Sequence, residues 1–292
     1  MNTTSWIVCN AFLSRAGLVI KNKLISYLPK EEQELVGNLR PSDQDPISRI
    51  YDRQLLLKLF HPTWFTSFLR TLPEIDVGLF LSSLPQSVCK PIQNALLYSK
   101  DLTPLRDCGK NYLQDALIDT LFQGSEHIIP LDLLPHSPLN NLLELSQGKI
   151  QQLIEYLGIH DLAVEMKQII DTVKIKKIHA SLSEDKMLYL KSLSQKTEPV
   201  LFKRMELAKW DGTADALFTV VYHRGLNRLA KALSVEDPSL IWYISRTIPW
   251  QEYNIFNTLC KPLNHPKAAA LLSNQILEIL PLIQKTSSKD FL

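Results

Sequence analysis

Four segments of the chain end an apolar stretch on leucine, continue with a turn former, and place an acidic residue four positions after the leucine. They are Leu28-Pro29-Lys30-Glu31-Glu32, Leu72-Pro73-Glu74-Ile75-Asp76, Leu157-Gly158-Ile159-His160-Asp161 and Leu233-Ser234-Val235-Glu236-Asp237. Counting back seven, four and three positions from the last three leucines gives Phe65, Phe68, Leu69; Ile150, Leu153, Ile154; and Leu226, Leu229, Ala230. In the first segment Lys21 breaks the series, while Leu24 and Ile25 keep it. This spacing puts the apolar residues on one face of a helix, and that face must be buried. Each segment predicts a short helix that stops at its leucine and turns. The chain as a whole predicts an all-α fold of stacked helical hairpins, HEAT- or armadillo-like, in two or more subdomains.

Breaks in the pattern set the expected organisation. Residues 1–40 hold an N-terminal helical hairpin that turns at Leu28-Pro29. The polar stretch from Arg40 to Pro46 reads as a linker. Helical periodicity returns over 47–123, where His61-Pro62 suits the first turn of a helix. Gly124-Ser125 followed by Pro130, Pro135 and Pro138 cannot continue a helix, so 124–138 is expected to be a proline-rich linker at a domain boundary. A second helical domain covers 139–292, with a smaller interruption near 197–200 at Thr197-Glu198-Pro199.

That second domain contains an expected internal repeat. Leu162 aligns with Leu226 and Lys167 with Lys231; two extra residues near Pro238 then align Ile178 with Ile244, Leu182 with Ile248 and Leu193 with Leu259. Ser183 and Ser234 are expected N-caps, because a serine oxygen can accept an orphan amide of the first turn.

Composition narrows the function classes. Nine glycines in 292 residues, with 45% hydrophobic content, favour helix and a substantial core. The 17 prolines are expected mainly between helices. A formal net charge of +2, with charges of both signs interleaved, gives no basic field for nucleic acid, and Lys174-Ile175-Lys176-Lys177 reads as a solvated helix edge. Cys9, Cys89, Cys108 and Cys260 are too far apart for a CxxC-type metal site and are expected to be buried thiols. No apolar run approaches the length of a membrane span, and the N-terminus lacks the pattern of a signal peptide. A cytoplasmic location is expected.

Catalytic signatures are absent. There is no HExxH, GxSxG, GxxxxGK[ST] or GxGxxG, and no two histidines stand four residues apart on a helix. His160 and His179 are expected as core or edge residues, and His61 as part of a local turn. No cofactor and no metal is expected, and the chain is not read as an enzyme. Of the five tryptophans, Trp64 stands beside Phe65 at the edge of a predicted helix. Exposed aromatics are common anchors at interfaces, so His61, Pro62, Trp64 and Phe65 are the candidate partner-contact residues.

Two stretches resemble the flagellar motor switch protein FliG and its relatives. His61-Pro62-Thr63-Trp64-Phe65, continuing through Phe68 to Pro73 and on to Phe80-Leu81-Ser82-Ser83-Leu84-Pro85, is similar to that family's middle domain. Leu142-Leu143-Glu144-Leu145, Ile150 to Ile154, Asp161 to Lys167 and Ile178 to Ser183 are similar to the start of its C-terminal domain. Only the His-Pro core of the family's Glu-His-Pro-Gln segment is kept, because Phe60 and Thr63 replace the flanking residues. The Met-Phe-Val-Phe hinge and the charged torque helix have no counterpart.

The resemblance implies a non-enzymatic cytosolic scaffold without a rotor. The expected role is an adapter of a type III secretion system, SctK-like, linking the inner-membrane ring to the cytosolic sorting platform. Its partners would be proteins of a secretion or switch-ring complex, and it would sit at the cytosolic face of the inner membrane through those partners alone. The family allows a multi-copy ring. A free-standing α-solenoid adapter with unrelated partners is the alternative, followed by an α-helical enzyme assembled from distant residues such as His61, Asp76 and Asp161.

Overall fold

A computed structural model describes residues 6, 9–10, 12–13, 16–38, 53–125, 127–205, 207, 210–263 and 266–286. All secondary structure among the described residues is helical. The chain divides into two units. One comprises 1–136 and 237–249, the other 137–236 and 250–292. The division after His136 falls inside the expected linker, but 139–292 is not one contiguous domain: the segment from Asp237 to Pro249 belongs with the first unit. The expected linker at 40–46 lies outside the described residues.

The first unit contains α1 (Leu18–Ile25), α2 (Lys30–Asn38), α3 (Arg53–Leu59), α4 (Thr63–Leu69), α5 (Glu74–Ser83), α6 (Gln86–Leu96) and α7 (Asp107–Phe122), together with α12 (Pro238–Thr247). α1 and α2 flank the turn expected at Leu28-Pro29, but α1 has no buried residue and Leu24 is 45% exposed, so the first apolar series does not form a core face among the described residues. The core proper is built from Leu57, Phe60, Phe65, Leu69, Leu81, Ile92 and Leu117, all fully buried.

α12 completes that core. Its Trp242 ring lies 4.6 Å from Phe122 and edge-on to Phe60 at 5.8 Å. Trp242 Nε1 donates to Ser125 Oγ at 3.1 Å, and Ser239 Oγ accepts from the Ile129 amide at 3.1 Å. The expected linker therefore has Ile129 and Leu133 buried, with Leu134 packed against them. Its prolines stop α-helix, as expected; what the sequence pattern did not reveal is the anchor that α12 supplies.

The second unit contains α8 (Gln147–Met166), α9 (Thr172–Ser181), α10 (Glu184–Ser194), α11 (Ala214–Leu233), α13 (Trp250–Leu259) and α14 (Pro266–Thr286), preceded by a 3-10 turn over Pro138–Glu144. Leu157-Gly158 is not a turn. α8 runs through it without a break. Gly158 is needed for packing: a Cβ there would meet the Val221 carbonyl oxygen at 2.0 Å, and a Cβ on Gly225 would meet the Ile154 carbonyl oxygen at 1.6 Å. Each glycine faces the carbonyl that lies four residues before its counterpart. α8 and α11 thus cross with backbones in contact, which only glycine permits.

The lengths of the helices follow a similar order twice. α8, α9 and α10 have 20, 10 and 11 residues; α11, α12 and α13 have 20, 10 and 10. The second and third helices correspond at the expected separation, since Leu182 and Ile248 are equivalent extended C-caps. The first helices do not. Gln147 matches Ala214 and Met166 matches Leu233, so Leu162 pairs with Leu229 rather than Leu226. Lys167 and Lys231 still do the same work, donating to the carbonyls of Lys196 and Lys261 at 2.9 Å each.

Local details correct other expectations. Asp171 and Asp237 cap α9 and α12 by accepting backbone amides. Ser183 precedes α10 without a side-chain cap bond, while Ser234 follows α11 and donates back to the Lys231 carbonyl. Pro91 and Pro281 lie inside α6 and α14. Both are exposed, so water can reach the carbonyls that their missing N–H groups leave unbonded. Among the cysteines only Cys89 is fully buried, and Cys108 is exposed.

Candidate functional site

The four residues expected at a partner surface point elsewhere. Pro62, Trp64 and Phe65 are buried in the first unit, and Trp64 retains only 5% of its exposure. Trp64 Nε1 donates to the Ile248 carbonyl at 2.8 Å, and the Arg246 guanidinium stacks between the Trp64 and Trp242 rings at 4.7 and 4.0 Å. The aromatic edge is therefore a seam with α12. His61 is half-buried; its Nδ1 accepts from the Thr63 amide at 3.3 Å and lies 2.8 Å from Thr63 Oγ1, as a turn residue would. Burial pushes its pKa down, because the imidazolium would lose hydration.

The densest constellation of charged groups lies inside the second unit. Arg228 on α11 is fully buried. Its Nε and Nη2 donate to Asp161 Oδ1 at 3.2 and 2.5 Å, its Nη1 to Glu198 Oε1 and Gln275 Oε1 at 2.9 and 2.8 Å, and its Nη2 also to the Val200 carbonyl at 3.1 Å. All five N–H donors of the guanidinium are engaged. Gln275 Nε2 closes the ring by donating to Glu198 Oε1 at 2.6 Å.

His160 extends this cluster toward α10. Its Nδ1 donates to Glu198 Oε2 at 2.7 Å, and in the neutral ring Nε2 accepts from the Tyr189 hydroxyl at 2.8 Å. Burial alone would raise the Glu198 pKa. The His160 hydrogen bond, Arg228 and Gln275 outweigh it and hold that carboxyl at about 2. Asp161 goes the other way: burial raises its pKa despite Arg228. Its Oδ2 is sealed and accepts no hydrogen bond among the described residues, which is where a proton would be accommodated.

Chemically this is a clamp. One cation and two carboxylates on α8, α11 and the 195–213 segment are held together, with Gln275 from α14 bridging Arg228 and Glu198 and Tyr189 from α10 bonding His160. Sequence reasoning read Glu198 as part of a helix break and Asp161 as the acid after a turn, and gave Arg228 no role. Arg228 stands two positions after Leu226, on the side of α11 away from the Leu226, Leu229 and Leu233 stripe, so no local pattern marks it as buried. His61 and Asp76 fall in one unit and Asp161 in the other. Among the described residues no three His, Cys, Asp or Glu side chains are grouped to hold a metal, and no helix is long and apolar enough to cross a membrane.

Comparison with protein-family models, curated proteins and solved structures finds no match to the chain.

Proposed function

We propose that this chain is a non-enzymatic helical adapter of a type III secretion apparatus, similar to FliG in its helical plan, which links the inner-membrane ring to the cytosolic sorting platform. The observation that carries the scaffold reading is the duplicated order of a long helix and two short ones, α8–α9–α10 and α11–α12–α13. Repeated helical units of this kind build HEAT- and armadillo-like solenoids, whose extended faces bind other proteins. The pairing of Arg228 with both Asp161 and Glu198 in the core agrees with it, because those charges are engaged within the fold. The secretion assignment is supported by the residues shared with the switch-protein family around His61-Pro62 and from Leu142 to Ser183.

In this reading the chain reaches the cytosolic face of the inner membrane through protein partners and takes part in a multi-copy assembly. Affinity capture of the tagged chain from its native cells, followed by mass spectrometry, tests it. Stoichiometric recovery of inner-membrane-ring or sorting-platform proteins is expected. Recovery of an unrelated protein in their place would favour the free-standing solenoid adapter, which the same duplication supports.

A further inference from the structure

Between the first half of α8 and the start of α10, within the second unit, lies a groove of about 390 Å³ lined mainly by Gln151, Gln152, Glu155, Tyr156, Asp185 and Lys186. Its size is within the range of small-ligand pockets, about 300–1,000 Å³. Tyr156 is only 7% exposed, with its ring edge-on to Tyr189 at 5.2 Å. A buried tyrosine ordinarily finds a hydrogen-bond partner for its hydroxyl. This one makes no hydrogen bond to any described residue and opens on the groove. After burial, the charges of Asp185 and Glu155 are what push the phenol pKa up, so both carboxylates act on the hydroxyl.

The charges lining the groove do not cancel. Lys186 Nζ is held by Glu155 Oε2 at 2.5 Å and lies 5.6 Å over the Phe218 ring, while Gln151 donates to the other Glu155 oxygen at 3.3 Å. Lys186 and Glu155 neutralise each other. Asp185, exposed and without a hydrogen bond to a described residue, leaves the groove with one uncompensated negative charge. Acceptors open to the groove are a carboxylate, a phenol oxygen and glutamine carbonyls, and the carboxylate, the one charged group of these, has no partner among the described residues. A flat cation with several N–H donors matches that set, because it can pair bidentately with a carboxylate and still reach a third acceptor.

We propose that this groove binds a guanidinium group, with Asp185 receiving its paired N–H donors and the Tyr156 hydroxyl oxygen receiving another. The guanidinium can belong to an arginine of a protein partner or to a free small molecule. The site does not depend on the secretion reading, since it is tested on the purified full chain.

The test is calorimetric and NMR titration with three probes: N-acetyl-arginine amide, its neutral citrulline counterpart, and an arginine-centred tripeptide. Saturable binding of the arginine probe is expected, with shifts in residues 148–156 and 183–186 and about tenfold weaker binding of the citrulline probe. Asp185→Asn should weaken binding about tenfold at an unchanged melting temperature, because Asp185 is exposed. Tyr156→Phe, which removes only the unpartnered oxygen, should weaken it less. No saturable binding of the arginine probe, equal binding of citrulline, or full affinity in Asp185→Asn would overturn the proposal. A tripeptide that binds more tightly than the blocked amino acid assigns the site to a protein partner, and equal affinity assigns it to a small molecule.

Discussion

Asp161 and Arg228 occupy equivalent positions on α8 and α11, each three residues after the glycine at which the two helices cross, and they are ion-paired to each other at 2.5 Å. The two helices thus carry opposite charges at corresponding positions. The crossing then sealed them together in the core. Neither residue can lose its partner without leaving a buried charge.

Arg228→Ala should therefore be severely destabilising. It strands Asp161 and Glu198 and opens a cavity, and breaking a buried pair in this way costs about 3–5 kcal/mol. Urea unfolding of the variant and wild type measures the loss. A change below about 1 kcal/mol, the scale of an exposed pair, would mean that the cluster is solvated.

Stability should fall in acid, with Glu198 as a main cause. Its pKa is lowered from 4.5 to about 2 in the fold, so its contribution is fully present above its unfolded value. That contribution is lost as pH falls from about 4.5 toward 2. Asp161 opposes the trend: its pKa is raised above 3.8, so its ionised form weighs against the fold and protonation relieves it. Glu198→Gln should flatten the acid limb of a stability-versus-pH curve, whereas Asp161→Asn should leave it as steep or steeper. Parallel curves for wild type and Glu198→Gln would contradict this assignment.

The helix crossing tolerates no added methyl group. Gly225→Ala places a Cβ against the Ile154 carbonyl, and the helices must separate to accept it. Overpacking of this kind costs about 1–3 kcal/mol or more, even though alanine is the better helix former. Gly109→Ala, on a helix with nothing within 4 Å of the new Cβ, is the control and should be neutral or stabilising. Equal melting temperatures for the two variants would refute the close crossing.

Trp64→Ala should act on folding and not only on partner capture. It removes a buried indole, its hydrogen bond to Ile248 and one side of the Arg246 stack, a loss of about 3–5 kcal/mol. Circular dichroism melts read the effect directly. A variant that melts like wild type yet fails to capture partners would restore Trp64 to the surface role read from the sequence.

Much of the helical plan was legible in the chain. The apolar ladders ending at Leu157 and Leu233 are buried as their spacing requires: Ile150, Leu153, Ile154 and Leu157 on α8, and Leu226, Leu229, Ala230 and Leu233 on α11. The proline-rich break at 124–138 and the weaker one at 197–200 both interrupt α-helix. Local chemistry is enough for these features, because helix periodicity and proline's missing donor act within a few residues.

Gly158 shows the limit of that local reading. From its neighbours it is a helix stop; in the fold it is the residue that lets α8 continue past α11, and nothing within 60 residues of it carries that information. Trp64 shows the same limit, since α12, which covers it, comes from the far end of the chain. Glu198 looked like part of a break because its partners, Arg228, His160 and Gln275, come from three different helices. The sequence by itself determined an all-helical chain, where its main helices run and which faces they bury, through periodicity and turn chemistry. Tertiary structure alone decided which glycine is a contact, which tryptophan is core and which charges are clamped, because burial and pairing depend on segments that meet only after the chain has folded.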